Sequence, residues 1–402
     1  MKRNNKLWIA CLMNLFSLNT FCQWTPQISN TAETLLGVSF TSNQNGFAVG
    51  TNGVIKHTAN AGLNWTSQTS GTTQFLRDVF FVDSLHGTIV GETGLILHTV
   101  NGGLNWTNQT SITTEHLVHV HFNDSLNGMA SGQNGLIITT TDGGANWVLQ
   151  NSNVTVELAG IIMIDNSIAF AVGFNGTILK TIDSGSNWAP QISGTTNELR
   201  SVSFVNADTG YVVGYGGLIL KTMDGGNNWL IQTSGTTNDL FAVHFTTSEI
   251  GNAVGTGKII RTIDGGNNWI NQPVTFTGDL YDVCFADNVC GWSVGQTGKI
   301  FFTNNGGGLT GIIDPHFVKN IFTLNPNPAR SIINLSCNQE VKNHISILIY
   351  DNLGNEAQLN SINNSYTSTD NISIDISDLT NGVYFCKIKS NKNLQTIKLI
   401  KN

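Results

Sequence analysis

The chain has 402 residues, a hydrophobic content of 40%, only 11% charged residues and a formal net charge of −7. That length admits two or three domains, and the apolar share is enough for a packed core, which excludes a disordered chain. The negative balance and the lack of a basic stripe argue against nucleic acid as a partner.

In chain order, residues 1–22 read as a secretory signal peptide. Lys2, Arg3 and Lys6 form a positive start, and Leu7 to Phe21 a mostly apolar run interrupted by Asn14 and Asn19. Thr20 and Cys22 are small enough to flank a cleavage site before Gln23, while Phe21 is too bulky for the residue preceding a lipidated Cys22. The run is too short to span a bilayer comfortably, and no later segment qualifies as transmembrane.

From Trp24 onward the chain is periodic. Trp24, Trp65, Trp106, Trp147, Trp188 and Trp229 lie 41 residues apart, and Trp269 follows after 40. A period of this length with several short strand signals per copy marks a β-propeller, and seven copies make a seven-bladed ring over residues 23–310. Eleven residues after each Trp stands a Leu: Leu35, Leu76, Leu117, Leu158, Leu199, Leu240 and Leu280. A Val-x-Phe alternation follows, as at Val38 and Phe40, and predicts a strand with one packed face. A second strand such as Ala48-Val49-Gly50, a Gly-x-x-Gly turn and a third strand such as Ile178 to Thr181 complete the unit.

The third strand ends in Thr-x-Asp-x-Gly-x-Asn-Trp, complete at Thr140–Trp147, Thr181–Trp188, Thr222–Trp229 and Thr262–Trp269, with Asn60 and Asn101 replacing Asp in the first two copies. This resembles the Asp-box of sialidase-type propellers. The resemblance implies that the Asp caps a turn, that the Trp packs between blades, and that neither is catalytic. The last copy is worn, with Thr310 where Trp belongs. Residues 24–28 are therefore expected to pair with the third strand near residues 299–303 and close the ring, removing an exposed edge. The whole unit is similar to the propeller family of photosystem II assembly factors, which implies the fold without a link to photosynthesis.

Ligands of propellers usually meet the face where one blade's outer strand loops to the next blade's inner strand, so residues beside the fixed Leu are the candidate site. The slot before it holds Thr34, Phe75, His116, Glu157, Glu198, Asp239 and Asp279; the slot after it holds Leu36, Arg77, Val118, Ala159, Arg200, Phe241 and Tyr281. With Asp78 and Asp282, the candidate ligand-binding set is Arg77, Asp78, Glu198, Arg200, Asp239, Asp279, Tyr281 and Asp282. The bland alternative is a solvated rim of structural ion pairs. A sialidase would need three clustered Arg, but Arg261 lies on a third strand away from Arg77 and Arg200. A paired-carboxylate glycosidase would draw on Glu157, Glu198, Asp239 and Asp279. His119-x-His121 with His116 lacks an evident third ligand, so no metal is expected, nor any cofactor.

After Gly308 the period stops. Residues 311–320 read as a linker, and residues 321–402 as a small β-sandwich of short alternating strands. Asn325-Pro326-Asn327-Pro328, Tyr350-Asp351-x-x-Gly354 and Leu379-x-x-Gly382-Val383-Tyr384 occur in order. This resembles the type A C-terminal sorting domain of the type IX (Por) secretion system of Bacteroidetes, implying that machinery as a partner and the outer-membrane surface or the medium as destination. Cys284, Cys290, Cys337 and Cys386 remain after signal removal; an even number in an exported chain permits two disulfides, with buried thiols as the alternative. The expected whole is an all-β exported protein: a seven-bladed propeller acting as a non-catalytic binding module for an extracellular glycan or protein, with a propeller-borne carbohydrate-active hydrolase as the alternative.

Overall fold

The computed structural model describes residues 24–308 except 275, and 322–402 except 338–344, 352–356, 358–371 and 391–392. The expected signal peptide and linker lie outside these residues. The chain divides after Ile312 into two compact units.

Among the described residues the first unit holds seven four-stranded antiparallel sheets. Six are built from consecutive strands, such as Leu35–Phe40, Gly46–Gly50, Ile55–Thr58 and Thr66–Gln68 in blade 1. The second strand of every blade is buried at all five positions, because it lies mid-sheet with a neighbouring blade on each face. Its first residue faces the Phe that ends the inner strand. A Cβ on Gly46 would sit 2.4 Å from the Phe40 ring, so only glycine fits. Blade 4 shows the compensating exchange: Met163 replaces the Phe, and Ala169 replaces the paired Gly.

The seventh sheet closes the ring. Thr25–Gln27 pairs antiparallel with Ile300–Thr303, in the register Thr25 opposite Phe302 and Gln27 opposite Ile300. In every blade but the fourth, where Met163 replaces the Phe, the box Trp stands edge-on to the Phe of its own blade, as for Phe40 with Trp65 at 6.0 Å and 85°. Trp24 takes this place in blade 7, 5.8 Å and 88° from Phe285, and is fully buried. The residue that heads the propeller sequence thus completes its last blade.

A second device links the blades. The inner strand leaves one edge of N–H groups without a strand partner, and side chains of the preceding blade accept from them. Val120 N donates to Asp78 Oδ2 at 2.9 Å, Phe81 N to Ser39 Oγ at 3.2 Å, and Phe245 N to Ser203 Oγ at 3.1 Å. Val38 N donates to Asp282 Oδ2 at 2.8 Å, so this belt also runs across the closing joint.

The Asp-box is spent on its own turn. Thr140 Oγ1 accepts from Gly144 N at 2.9 Å and donates to Asp142 Oδ1 at 2.8 Å, which also accepts from Asn146 N at 2.8 Å. These bonds, with the Asn146 side-chain amide first among them, hold the Asp142 carboxyl below its ordinary range. Thr140 is buried, so Thr140→Val removes the hydroxyl from a dry turn and should cost about 1–3 kcal/mol in denaturant unfolding.

The second unit packs two three-stranded sheets, Phe322–Asn325 with Ile332–Cys337 and Ile372–Asp375, and Ile345–Asp351 with Gly382–Ser390 and Asn393–Lys401. Ile333, Ile347, Ile374, Ile388 and Leu399 are buried in its core. The Asn-Pro-Asn-Pro segment grips the last strand: Asn327 Nδ2 donates to Lys398 O at 2.6 Å, and Ile400 N donates to Asn327 Oδ1 at 2.9 Å.

The disulfide expectation is corrected. Cys284, Cys290 and Cys386 are free thiols. Cys284 lies opposite Trp292 on the adjacent strand, while Cys290 precedes that strand and bonds back to Ala286 N, so the pair is out of register. Cys386 lies in the second unit's core, where burial pushes its thiol up to about 12; the side chain of Cys337 lies outside the described residues.

Candidate functional site

One backbone arrangement, repeated in every blade, builds the channel mouth. The pairing of inner and second strands shifts register just after the fixed Leu, for example between Leu35 and Gly37. Such a bulge re-aims one side chain, here the residue after the Leu. The carbonyl before the Leu lies against the closing Gly of the second strand; a Cβ on Gly50 would stand 1.9 Å from Thr34 O. The same carbonyl accepts the N–H of the first residue of the following turn in all seven blades, from Thr51 N to Thr34 O at 2.9 Å round to Gln296 N to Asp279 O at 3.0 Å.

The bulges point inward together. Leu36, Arg77, Val118, Ala159, Arg200, Phe241 and Tyr281, one from each blade, line a single cavity of about 380 Å³. Asp78, His119, Tyr215, Asp279 and Asp282 complete its polar wall. Six of the eight candidate residues therefore meet there: Arg77, Asp78, Arg200, Asp279, Tyr281 and Asp282. The other two serve neighbours. Glu198 Oε2 pairs with Arg200 at 3.1 Å, and Asp239 Oδ1 accepts from Gly216 N at 2.8 Å.

The two Arg are not free charges on a solvated rim. Arg77 pairs with Glu92 at 2.8 Å. Arg200 lies over the rings of Tyr215 at 4.6 Å and Phe174 at 4.9 Å, donates to the Tyr215 hydroxyl, and stands 3.7 Å from Glu157 as well as pairing with Glu198. Its side chain is only 23% exposed. Tyr215, Phe174, Glu92 and Gln296 were missed by attention to the Leu slots. Each directly follows the closing Gly of its second strand, and that position also varies from blade to blade.

Deeper in the wall lie two carboxylates, Asp78 buried and Asp282 half-buried. Asp78 accepts from Val79 N at 2.8 Å and Val120 N at 2.9 Å, and Asp282 from Val283 N and Val38 N, both at 2.8 Å. Gly37 leaves room between them, since a Cβ there would meet Asp78 Oδ1 at 3.0 Å. Burial, and then the charge of Asp78, push the Asp282 carboxyl up to about 7, against the pull of its two amide bonds. His119 Nδ1 is 3.5 Å from Asp78 Oδ2. His116 Nδ1 instead accepts from Thr93 N, and His121 Nδ1 from Met163 N, so the three imidazoles serve separate partners.

The raised Asp282 carboxyl has a signed consequence. The folded state keeps a proton that the unfolded chain releases, so the contribution of Asp282 to stability falls as pH rises from about 4 through about 7, then levels off. His121 and His244, lowered by burial to about 3 and about 4, act in the opposite sense below their ordinary value of 6.5. The effect is therefore read as a difference: wild type should lose ground relative to Asp282→Asn as pH rises across that window, with urea midpoints as the measure. Parallel pH profiles would refute the assignment.

Fold and mouth define a seven-bladed Asp-box propeller carrying a separate sandwich. The family model for the photosystem II assembly factor YCF48 matches residues 17–107, 64–201 and 147–274, together most of the propeller, and the chain belongs to that family. Residues 323–402 match the secretion system C-terminal sorting domain, which marks the chain for export by type IX secretion to the cell surface or the medium. Among solved structures, YCF48 bound to D1 peptide shares 20% identity over 70% of this chain and 94% of that one, with a TM-score of 0.61. YCF48 from Cyanidioschyzon merolae shares 19% identity, with coverages of 70% and 98% and a TM-score of 0.61. The WD40 β-propeller domain of Doa1 shares 12% identity, with coverages of 70% and 97% and a TM-score of 0.56. At these identities the likeness is one of fold. No curated protein matches the chain.

Proposed function

We propose that this is an exported, non-catalytic binding module of a Bacteroidetes-type cell, delivered through an N-terminal signal peptide and the type IX machinery, whose channel mouth takes an extracellular peptide or glycan. The observation that carries the reading is the single cavity to which all seven blades contribute, with a wall that differs from blade to blade. Concave sites with a mixed apolar and polar wall are where ligands bind. The Asp-boxes, by contrast, are nearly alike and engaged in their own turns. A structural relative solved with a bound peptide makes peptide the first class to screen.

The test is a peptide and glycan screen of the full chain, repeated with Ala159→Trp. Ala159 lines the mouth, so the indole should fill it and abolish binding while leaving the melting temperature near wild type. Thr140→Val, at the other end of the blade, should spare affinity. Binding that persists in Ala159→Trp would move the site elsewhere.

One feature favours a glycosidase at the same mouth: burial and the neighbouring Asp78 raise the Asp282 carboxyl, as an acid catalyst requires. Against it, both carboxylates are tied to strand amides, Glu157 and Glu198 flank Arg200, and Asp279 accepts from Gln296. Reducing-sugar release by wild type that is lost in Asp282→Asn would replace the binding reading.

A further inference from the structure

The mouth is asymmetric in both shape and charge. Blades 1, 3 and 4 contribute the small or aliphatic Leu36, Val118 and Ala159. Blades 5, 6 and 7 contribute an arc of rings: Tyr215 and Phe241 have centroids 6.0 Å apart, and Phe241 and Tyr281 5.5 Å apart. The arc already holds one cation, since Arg200 lies over Tyr215. Phe241 and Tyr281 carry none among the described residues.

The charges around the arc do not balance. Arg77 is matched by Glu92, and Arg200 faces both Glu198 and Glu157. Asp279 and Asp78 also line the cavity, and among the described residues no Lys or Arg forms an ion pair with either. Asp279 Oδ2 accepts from Gln296 Nε2 at 2.8 Å and stands 3.4 Å from the Tyr281 hydroxyl, which fixes a carboxylate at the end of the arc. An anionic ligand would find both Arg already paired and would face surplus negative charge. Ring faces beside a carboxylate are the arrangement that attracts a cation.

We infer that the mouth binds the guanidinium or ammonium group of an Arg or Lys side chain on an extracellular peptide, laid over Phe241 and Tyr281 with Asp279 as counter-ion. The inference rests on the binding reading above and gives it a ligand class. The cation would occupy the half of the mouth opposite the aliphatic residues, where a peptide backbone can lie.

The experiment is calorimetric titration of the full chain with capped tripeptide amides Gly-Arg-Gly, Gly-Lys-Gly, Gly-Gln-Gly and Gly-Glu-Gly, with agmatine, and with maltotetraose. The Arg and Lys peptides should bind at least about tenfold more tightly than the Gln peptide, and salt should weaken them. Phe241→Ala, Tyr281→Ala and Asp279→Asn should each lose about tenfold, whereas Tyr281→Phe, which keeps the ring, should lose little. Melting temperatures identify any variant that fails to fold, and Asp279→Asn, equal in size, then carries the test. Preference for the Glu peptide or the sugar, lost in Phe241→Ala, would overturn the cation and keep the mouth as a site. Agmatine binding as tightly as the Arg peptide would overturn the peptide as the source of the cation. Arg-peptide binding unchanged in all three variants would overturn both the inference and the mouth.

Discussion

Deleting residues 24–28 should destabilise the propeller by roughly 5 kcal/mol or more, the largest loss expected from so short a segment. The segment supplies the fully buried Trp24 and the whole outer strand of blade 7. Its side chains also reach beyond that strand: Gln27 Nε2 donates to Ala61 O at 2.8 Å, and Gln27 Oε1 accepts from Trp65 Nε1 at 3.1 Å. Truncation thus removes a core aromatic, unpairs the edge of Ile300–Thr303 and loosens the first box together. Trp24→Ala alone should cost about 3–5 kcal/mol, as for other buried aromatics cut back to a methyl. Denaturant unfolding of both variants is the measurement, and an unchanged midpoint in the truncation would refute closure through this strand.

The second large effect concerns export. A reporter carrying a periplasmic signal and residues 313–402 should reach the surface or medium of a host with type IX machinery, and the protein lacking those residues should stay in the periplasm. Removing only residues 398–402 should also block export, because the final strand pairs with Gly382–Ser390 and is held by Asn327. Fractionation and immunoblotting decide the matter. A reporter left in the periplasm while an established sorting domain exports it would defeat the assignment.

Much of the fold was legible because a repeat prints the same physics seven times. The Trp spacing gave the blade count, and the missing Trp at residue 310 together with the surplus Trp24 pointed to the closure. The paired exchange of Met163 for Phe and Ala169 for Gly is explained only by the strand pairing. At the site, the slots after the fixed Leu were found because they break an otherwise regular pattern. Sequence could not show that a bulge turns those residues into one cavity, nor that Glu198 and Asp239 turn aside to Arg200 and Gly216. Tyr215 was overlooked because its slot adjoins the Leu slots only through a backbone hydrogen bond between residues 17 apart in sequence, Tyr215 N to Glu198 O. Cysteine parity suggested disulfides, whereas the register of blade 7 separates Cys284 from Cys290.

The seam in blade 7 also sets how the ring answers to mechanical load. Thr25–Gln27 and Ile300–Thr303 run antiparallel, with Thr25 opposite Phe302, so the chain enters and leaves the sheet at the same end. Tension between the segment before Trp24 and the segment after Thr303 would therefore peel the two strands apart one hydrogen bond at a time, instead of shearing them all at once. The other six blades would feel little of that pull until the seam had opened. The closed ring thus has a zipper at the joint where its two chain ends meet.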